Sequence, residues 1–171
     1  MPRELGPRPV HHSQVTLVRV MSMLDANSLG NVHGGVIMRE VDNAAGTAAT
    51  RHAGRPCVTA AIDELSFLEP VHVGDLLYVT AQVNAVGRTS LEVGVRVEAE
   101  PSGGGARRHT TSAYLVFVAL TEDGLPAPVP PLACGSEDER HRHAQALIRR
   151  QVRKERIERL GAWMPDEQSR G

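Results

Sequence analysis

Long apolar runs are missing from this chain. The longest, residues 113–120, falls far short of the ~20 residues that a membrane-spanning helix needs, so no stable membrane insertion is expected. The opening M-P-R-E-L-G-P-R-P-V has no hydrophobic stretch of the kind a secretory leader carries. Cysteine is scarce: Cys57 and Cys134 could form one bridge but no disulfide framework, and they read as reduced thiols of a cytoplasmic protein. Neither sign of charge dominates, and a net charge of −1 over 171 residues offers nucleic acid no general attraction. Lysine is nearly absent, with Lys154 alone beside 18 arginines; arginine suits phosphate ligands. No H-E-x-x-H occurs, and His141 and His143 fall on different sides of a helix, so no metal site is expected. No G-x-S-x-G elbow occurs either, which argues against a serine hydrolase. Cys57 opens an apolar strand and reads as core rather than as a nucleophile.

With 41% hydrophobic and 23% charged residues, the composition is that of one ordinary globular domain. Residues 1–12, with three prolines and two histidines, read as a frayed, flexible tail. A first strand is expected between His12 and Met23, then a helix from about Gly34 to His52, capped by Gly54 and stopped by Pro56. Residues 57–69 form a second strand. The clearest periodicity follows. Leu77, Val79, Ala81, Val83 and Ala85 alternate with polar residues, as do Leu91, Val93, Val95, Val97 and Ala99 after the turn V-G-R-T-S. That predicts an antiparallel pair with one buried face. A Gly-rich hairpin tip leads to a strand over about 109–121, and D-G-L-P-A-P-V-P-P-L reads as an extended linker. Ser136 and Glu139 make a capping box for a terminal helix whose acids precede its arginines, as the helix dipole favours. The expected class is α+β: one long central helix against a curved antiparallel sheet of about five strands, plus a C-terminal helix. The small residues Ala44, Ala45, Gly46, Ala48 and Ala49 let a sheet approach the helix backbone closely.

Within that small-residue stretch stands one acid. Asp42 shares a helix face with Met38, Ala45, Gly46 and Ala49. Two roles are open to it: an exposed ion pair with Arg39, three residues back, or chemistry. The segment before the helix holds Asn27, Asn31, His33, Gly34 and Gly35. The first amides of a helix are free donors with a partial positive charge, and two glycines there allow a ligand carbonyl to come close. A carbonyl polarised at the helix start, with a carboxylate two turns on, can support hydrolysis.

The segments D-A-N-S-L-G-N-V-H-G-G and V-D-N-A-A-G-T-A-A-T-R-H resemble the acyl-CoA thioesterases of the hotdog fold, notably the cytosolic long-chain (brain) acyl-CoA hydrolases and their single-domain bacterial relatives. The resemblance continues through 58–75 and V-G-R-T-S-L-E-V-G-V-R-V to the terminal helix, covering about residues 13–160. It implies a hotdog domain over 13–125, followed by a Pro-rich linker, C-terminal helix and tail over 126–171. It also implies hydrolysis of fatty acyl-CoA to fatty acid and coenzyme A, with Asp42 as general base or nucleophile and Asn27 orienting water or thioester. Amides at Gly34 and Gly35 would hold the oxyanion, and His33 would shape the loop. Arg88, Thr89 and Ser90 would lie near the CoA nucleotide, with Arg107 and Arg108 as a second choice. The thiolate leaves readily, so no cofactor is required. The tandem-domain relatives divide the Asn and the Asp between two domains, so the resemblance implies a homodimer with shared sites, assembling further as a trimer of dimers. A hotdog hydratase or dehydratase, with His33 as the proton-transfer group, and a non-catalytic acyl-CoA sensor are the alternatives.

Overall fold

A computed structural model describes residues 6–161. Five strands form one antiparallel sheet: β2 (Val15–Val20), β3 (Cys57–Phe67), β4 (Leu76–Val86), β5 (Ser90–Glu100) and β6 (Arg108–Ala119), in the order β2-β4-β5-β6-β3. The long helix α1 (Gly34–Ala53) lies in the hollow of this sheet and touches all five strands. This is the hotdog arrangement that the resemblance implied. Alternation predicted the centre of the sheet well. Leu77, Val79, Ala81 and Val83 of β4 pair with the region of Val93, Val95, Val97 and Ala99 on β5, and all are buried against α1.

Helix α1 meets the sheet through Ile37, Val41, Ala44, Ala45, Ala48, Ala49 and Ala53. Their spacing of three and four marks one stripe of a helix. Four alanines with no exposed surface make that stripe thin, so the curved sheet closes onto the backbone. The helix stops where the sequence predicted: Gly54 takes φ 68, a left-handed conformation costly for other residues, and its N–H bonds back to Thr50.

The second helix, α2 (Glu137–Leu160), opens with the predicted capping box, Ser136 and Glu139 each bonding the other's backbone. It crosses the outer face of the sheet, where the polar half of each alternation lies. Arg149 grips the buried carboxylate of Glu92 at 2.6 Å and stacks 3.6 Å above the Tyr114 ring. Arg153 pairs with Asp63 of β3, and His143 Nδ1 lies 3.0 Å from the carbonyl oxygen of Asn84.

The tail expected over 1–12 requires a correction for its described part. Arg8–Pro9 form a two-residue strand, β1, parallel to β7 (Leu132–Ala133), and Val10 is buried in the short turn that follows. The segment expected to be a linker is likewise packed, with Ala127, Val129 and Pro130 all buried. Together these segments clasp the C-terminal end of α1. The Arg8 guanidinium donates to the carbonyls of Arg51 and His52 at 3.0 and 2.5 Å.

His52 has no exposed surface, and its Nε2 is 3.0 Å from the Pro130 carbonyl oxygen. A carbonyl can only accept, so Nε2 carries the proton, and Nδ1 is left buried without a partner among the described residues. Burial, seconded by the nearby Arg8 charge, holds the imidazole below its usual 6.5. Above that pH the ring is neutral folded or unfolded and adds no pH dependence. Below it, the unfolded chain takes up a proton that the folded chain refuses, so stability falls with pH, by up to about 1.4 kcal/mol per unit for one proton. Replacing His52 with Gln should therefore flatten the decline in unfolding free energy between pH 6.5 and 5.5, measured by denaturant titration. Parallel declines in the two proteins would contradict the assignment.

Candidate functional site

Asp42 stands at the margin of the buried stripe. Ala45 and Ala49 on its face have no exposed surface, while Asp42 itself, Met38 and Asn43 are exposed. The ion pair with Arg39 does not form, because Arg39 turns to Glu40 at 3.3 Å. Instead, Asp42 Oδ1 accepts the hydroxyl of Thr59 on β3 at 2.7 Å. Its second oxygen has no partner among the described residues, and Asp42 lines an open cleft of about 410 Å³ together with Thr59, Thr47, Cys57 and Phe117.

Thr59 was not among the residues singled out from the sequence. The strand that carries it shifts register against β6 between Thr59 and Ala61, leaving Ala60 unpaired, and again between Ile62 and Glu64. Such bulges bend a strand and re-aim its side chains. They also destroy the alternation that would have shown which way Thr59 points. A lone hydroxyl in V-T-A-A-I was the available signal.

β3 lies at the edge of the sheet, and among the described residues it is paired only on its β6 side. Eleven residues long, it exposes Val58, Ile62 and Phe67 by 43 to 50%. A long apolar edge of this kind is a template for another strand. Thr59 lies within it and Asp42 of α1 beside it. Cys57 has its thiol pushed up to about 11 by burial, which keeps it protonated and inert near neutral pH.

The loop before α1 forms the other part of the site. Asn27 Oδ1 accepts from the backbone N–H groups of Leu29 at 2.9 Å and Asn31 at 3.2 Å. Both partners are donors, so the oxygen assignment is forced and the carbonyl is used up within the loop. The side-chain NH₂ has no partner among the described residues, and Asn27 lines a cleft of about 340 Å³ with Val32, Gly34, Ile37, Phe67, Leu68 and Val71. Asn27 and Asp42 line separate clefts of one chain.

His33 caps the helix: its Nδ1 accepts the Gly35 N–H at 2.9 Å. The two glycine amides thus differ. Gly35's is occupied by the cap, and Gly34's has no partner among the described residues. A Cβ on Gly34 would come within 3.3 Å of the Phe67 ring, so a small residue keeps this mouth open.

Arg88 is exposed and its guanidinium has no partner among the described residues, while its carbonyl accepts the Val129 N–H at 3.1 Å; Thr89 and Ser90 beside it are half-buried. The two second-choice arginines already have partners within the chain. Arg107 stacks 3.4 Å over Tyr78, and Arg108 bridges Glu69 and Asp75 at 3.1 and 3.2 Å. A further cavity of about 400 Å³, between α2 and the outer sheet face, holds none of the residues predicted to act. No group of three or more His, Cys, Asp or Glu able to hold a metal ion, and no helix long and apolar enough to cross a membrane, occurs among the described residues.

Residues 29–106 match the family model of the thioesterase superfamily. The chain is 37% identical over 133 residues to an uncharacterized acyl-CoA thioester hydrolase of Bacillus subtilis, covering 78% of this chain and 77% of that protein. It is 34% identical over 142 residues to the cytosolic acyl coenzyme A thioester hydrolase of Rattus norvegicus, covering 81% of this chain but 37% of that longer protein. Among solved structures, an apo hexameric acyl-CoA thioesterase superposes with a TM-score of 0.86 at 36% identity, covering 89% of this chain and 97% of its own. The acyl-CoA hydrolase of Staphylococcus aureus, in complex with butyryl coenzyme A, coenzyme A and coenzyme A disulfide, superposes at 0.82 and 31% identity over 87% and 91% of the two chains. That hydrolase has also been solved with alanine in place of one aspartate, one asparagine and one threonine. The chain belongs to the acyl-CoA thioester hydrolase family of the thioesterase superfamily.

Proposed function

We propose that this protein hydrolyses fatty acyl-CoA to free fatty acid and coenzyme A in the cytoplasm, without metal or cofactor. One observation carries the residue assignment: Asp42, lining an open cleft, is held through one oxygen by Thr59 and has its other oxygen unpartnered among the described residues. That free oxygen can take a proton from a water attacking the thioester carbonyl, or attack the carbonyl itself to give a mixed anhydride that water then opens. On either route negative charge gathers on the carbonyl oxygen. The donors suited to it are the Gly34 N–H and the Asn27 side-chain amide, which has no acceptor of its own among the described residues. Collapse of the tetrahedral intermediate expels the CoA thiolate, which picks up a proton.

Asn27 and Asp42 face separate clefts of one chain, and the apolar edge of β3 runs beside Asp42. A second copy adding its β3 to that edge would cover the cleft and supply its own Asn27. Two such shared sites per homodimer, with three dimers in a hexamer like the hexameric relative, is the assembly we propose. Arg88, with Thr89 and Ser90, is our candidate for the CoA phosphates. The tie of His33 to Gly35 favours hydrolysis over hydration. With Nδ1 accepting the Gly35 N–H, that nitrogen is committed to the cap and is not free to take a substrate proton.

Replacing Asp42 with Asn should lower kcat for palmitoyl-CoA by about 10²-fold or more, the scale of a lost general base, with little change in melting temperature at this exposed position. Thr59→Val should lower kcat about tenfold and leave KM nearly unchanged, because it frees the carboxylate to swing. Release of free thiol, followed with a thiol reagent, reads both; near-normal turnover in Asp42→Asn would remove that residue from the mechanism.

The loop geometry makes a sharper demand of Asn27. An aspartate there retains the oxygen that Leu29 and Asn31 need but has no N–H to give. Asn27→Asp should fold normally and lose about 10²-fold in kcat. Full activity in that variant would show that the amide hydrogens are not used.

A further inference from the structure

The loop carrying Asn27 is pinned at its base by a carboxylate that takes no part in the chemistry proposed above. Asp25 ends the short turn Met23–Asp25 and is 4% exposed. Its Oδ2 accepts from the backbone N–H and the hydroxyl of Ser22, both at 2.8 Å, and its Oδ1 accepts from Arg19 Nη2 at 2.7 Å. The Ser22 N–H foremost, then the Ser22 hydroxyl and Arg19, hold this carboxyl below the usual carboxylate range. The main chain of Asp25 works on the other end of the loop. Its carbonyl accepts the His33 N–H at 2.7 Å, and the adjoining Ala26 bridges to Val32. One residue therefore closes the loop at both entry and exit, with Asn27 two positions along.

Arg19 extends the link to the helix. From β2 its other terminal nitrogen, Nη1, donates to Glu40 Oε1 on α1 at 3.0 Å. Two nitrogens of one planar group thus serve two carboxylates on two different elements, a geometry that a lysine with a single nitrogen cannot reproduce. The Asp25 and Glu40 side chains are 5% and 13% exposed. The Arg19 side chain they share is 36% exposed, so solvent screens the attraction and the pairs add little net stability; what they supply is a fixed arrangement.

We propose that Asp25, linked through Arg19 to Glu40, is a positioning residue for Asn27, fixing the loop against α1 so that the Asn27 amide points at the substrate. It rests on the donor role given to Asn27 above, and it predicts that the arrangement acts through Asn27 alone.

A double-mutant cycle tests it. Arg19→Met is made in the natural chain and in Asn27→Ala, and kcat and KM for palmitoyl-CoA are measured in all four proteins. In the natural chain, kcat should fall about tenfold or more, as a misplaced catalytic group costs, with KM within about twofold because the CoA contacts lie elsewhere. In Asn27→Ala the same substitution should change kcat by less than about twofold, since no amide remains to be placed. An undiminished fall in that background, or no fall in the natural chain, overturns the proposal. Should Arg19→Met fail to fold, Arg19→Lys and Glu40→Gln, which keep the bulk, replace it in the same cycle under the same criteria. Natural turnover in Asn27→Ala by itself would refute the role of Asn27, a result separable from failure of the cycle.

Discussion

Everything in this fold follows from how closely α1 sits on its sheet. A helix whose inner stripe is mostly alanine lets five strands curl around it, and close packing over Ala44, Ala45, Ala48 and Ala49 fixes its rotation. That rotation decides which residue stands at the rim facing β3. Asp42 is that residue. One hundred degrees further round it would be buried without a partner or lost in solvent. The same packing brings the start of α1 to the loop of Asn27, and the clasp of Arg8 and Pro130 holds its other end.

The outer face of the sheet has a different physics. Its polar side chains are covered by α2 through charged and stacked contacts, Arg149 on Glu92 and Tyr114 and Arg153 on Asp63. Removing one member of such a pair strands the other in a dry place, typically at a cost of about 3–5 kcal/mol. These contacts fix α2 in register with the bulged part of β3, since Asp63 lies at the second register shift. The bulges in turn curve β3 around α1 and bring Thr59 to Asp42.

Most of the architecture was legible because long elements carry periodic signals. The alternation in β4 and β5, the capping box of α2 and the glycine stop of α1 each survive in the structure close to their expected bounds. What was lost lacked a period. Two-residue strands such as β1 and β7 have no alternation to read, so a docked clasp looked like a tail and a linker. Bulges hid Thr59. At the helix start the two glycines looked equivalent, and the His33 side chain, whose reach to Gly35 is a matter of rotamer, makes them different. Asp42 and Asn27 stood out as candidates through their surroundings and the resemblance, which also implied that they act from different chains; the structure adds that they line separate clefts of one chain.

In the assembly we propose, a complete site needs two chains, Asn27 from one and Asp42 from the other. Complementation tests it directly: the inactive variants Asn27→Asp and Asp42→Asn are unfolded and refolded together, with each refolded alone as control. In a mixed dimer one site holds both lesions and the other holds neither. Random pairing makes about half the dimers mixed, so about a quarter of natural activity should return. A mixture as inactive as its parents, with chain exchange verified by mass after one variant is grown in ¹⁵N, would contradict the shared site and assign both residues to one chain.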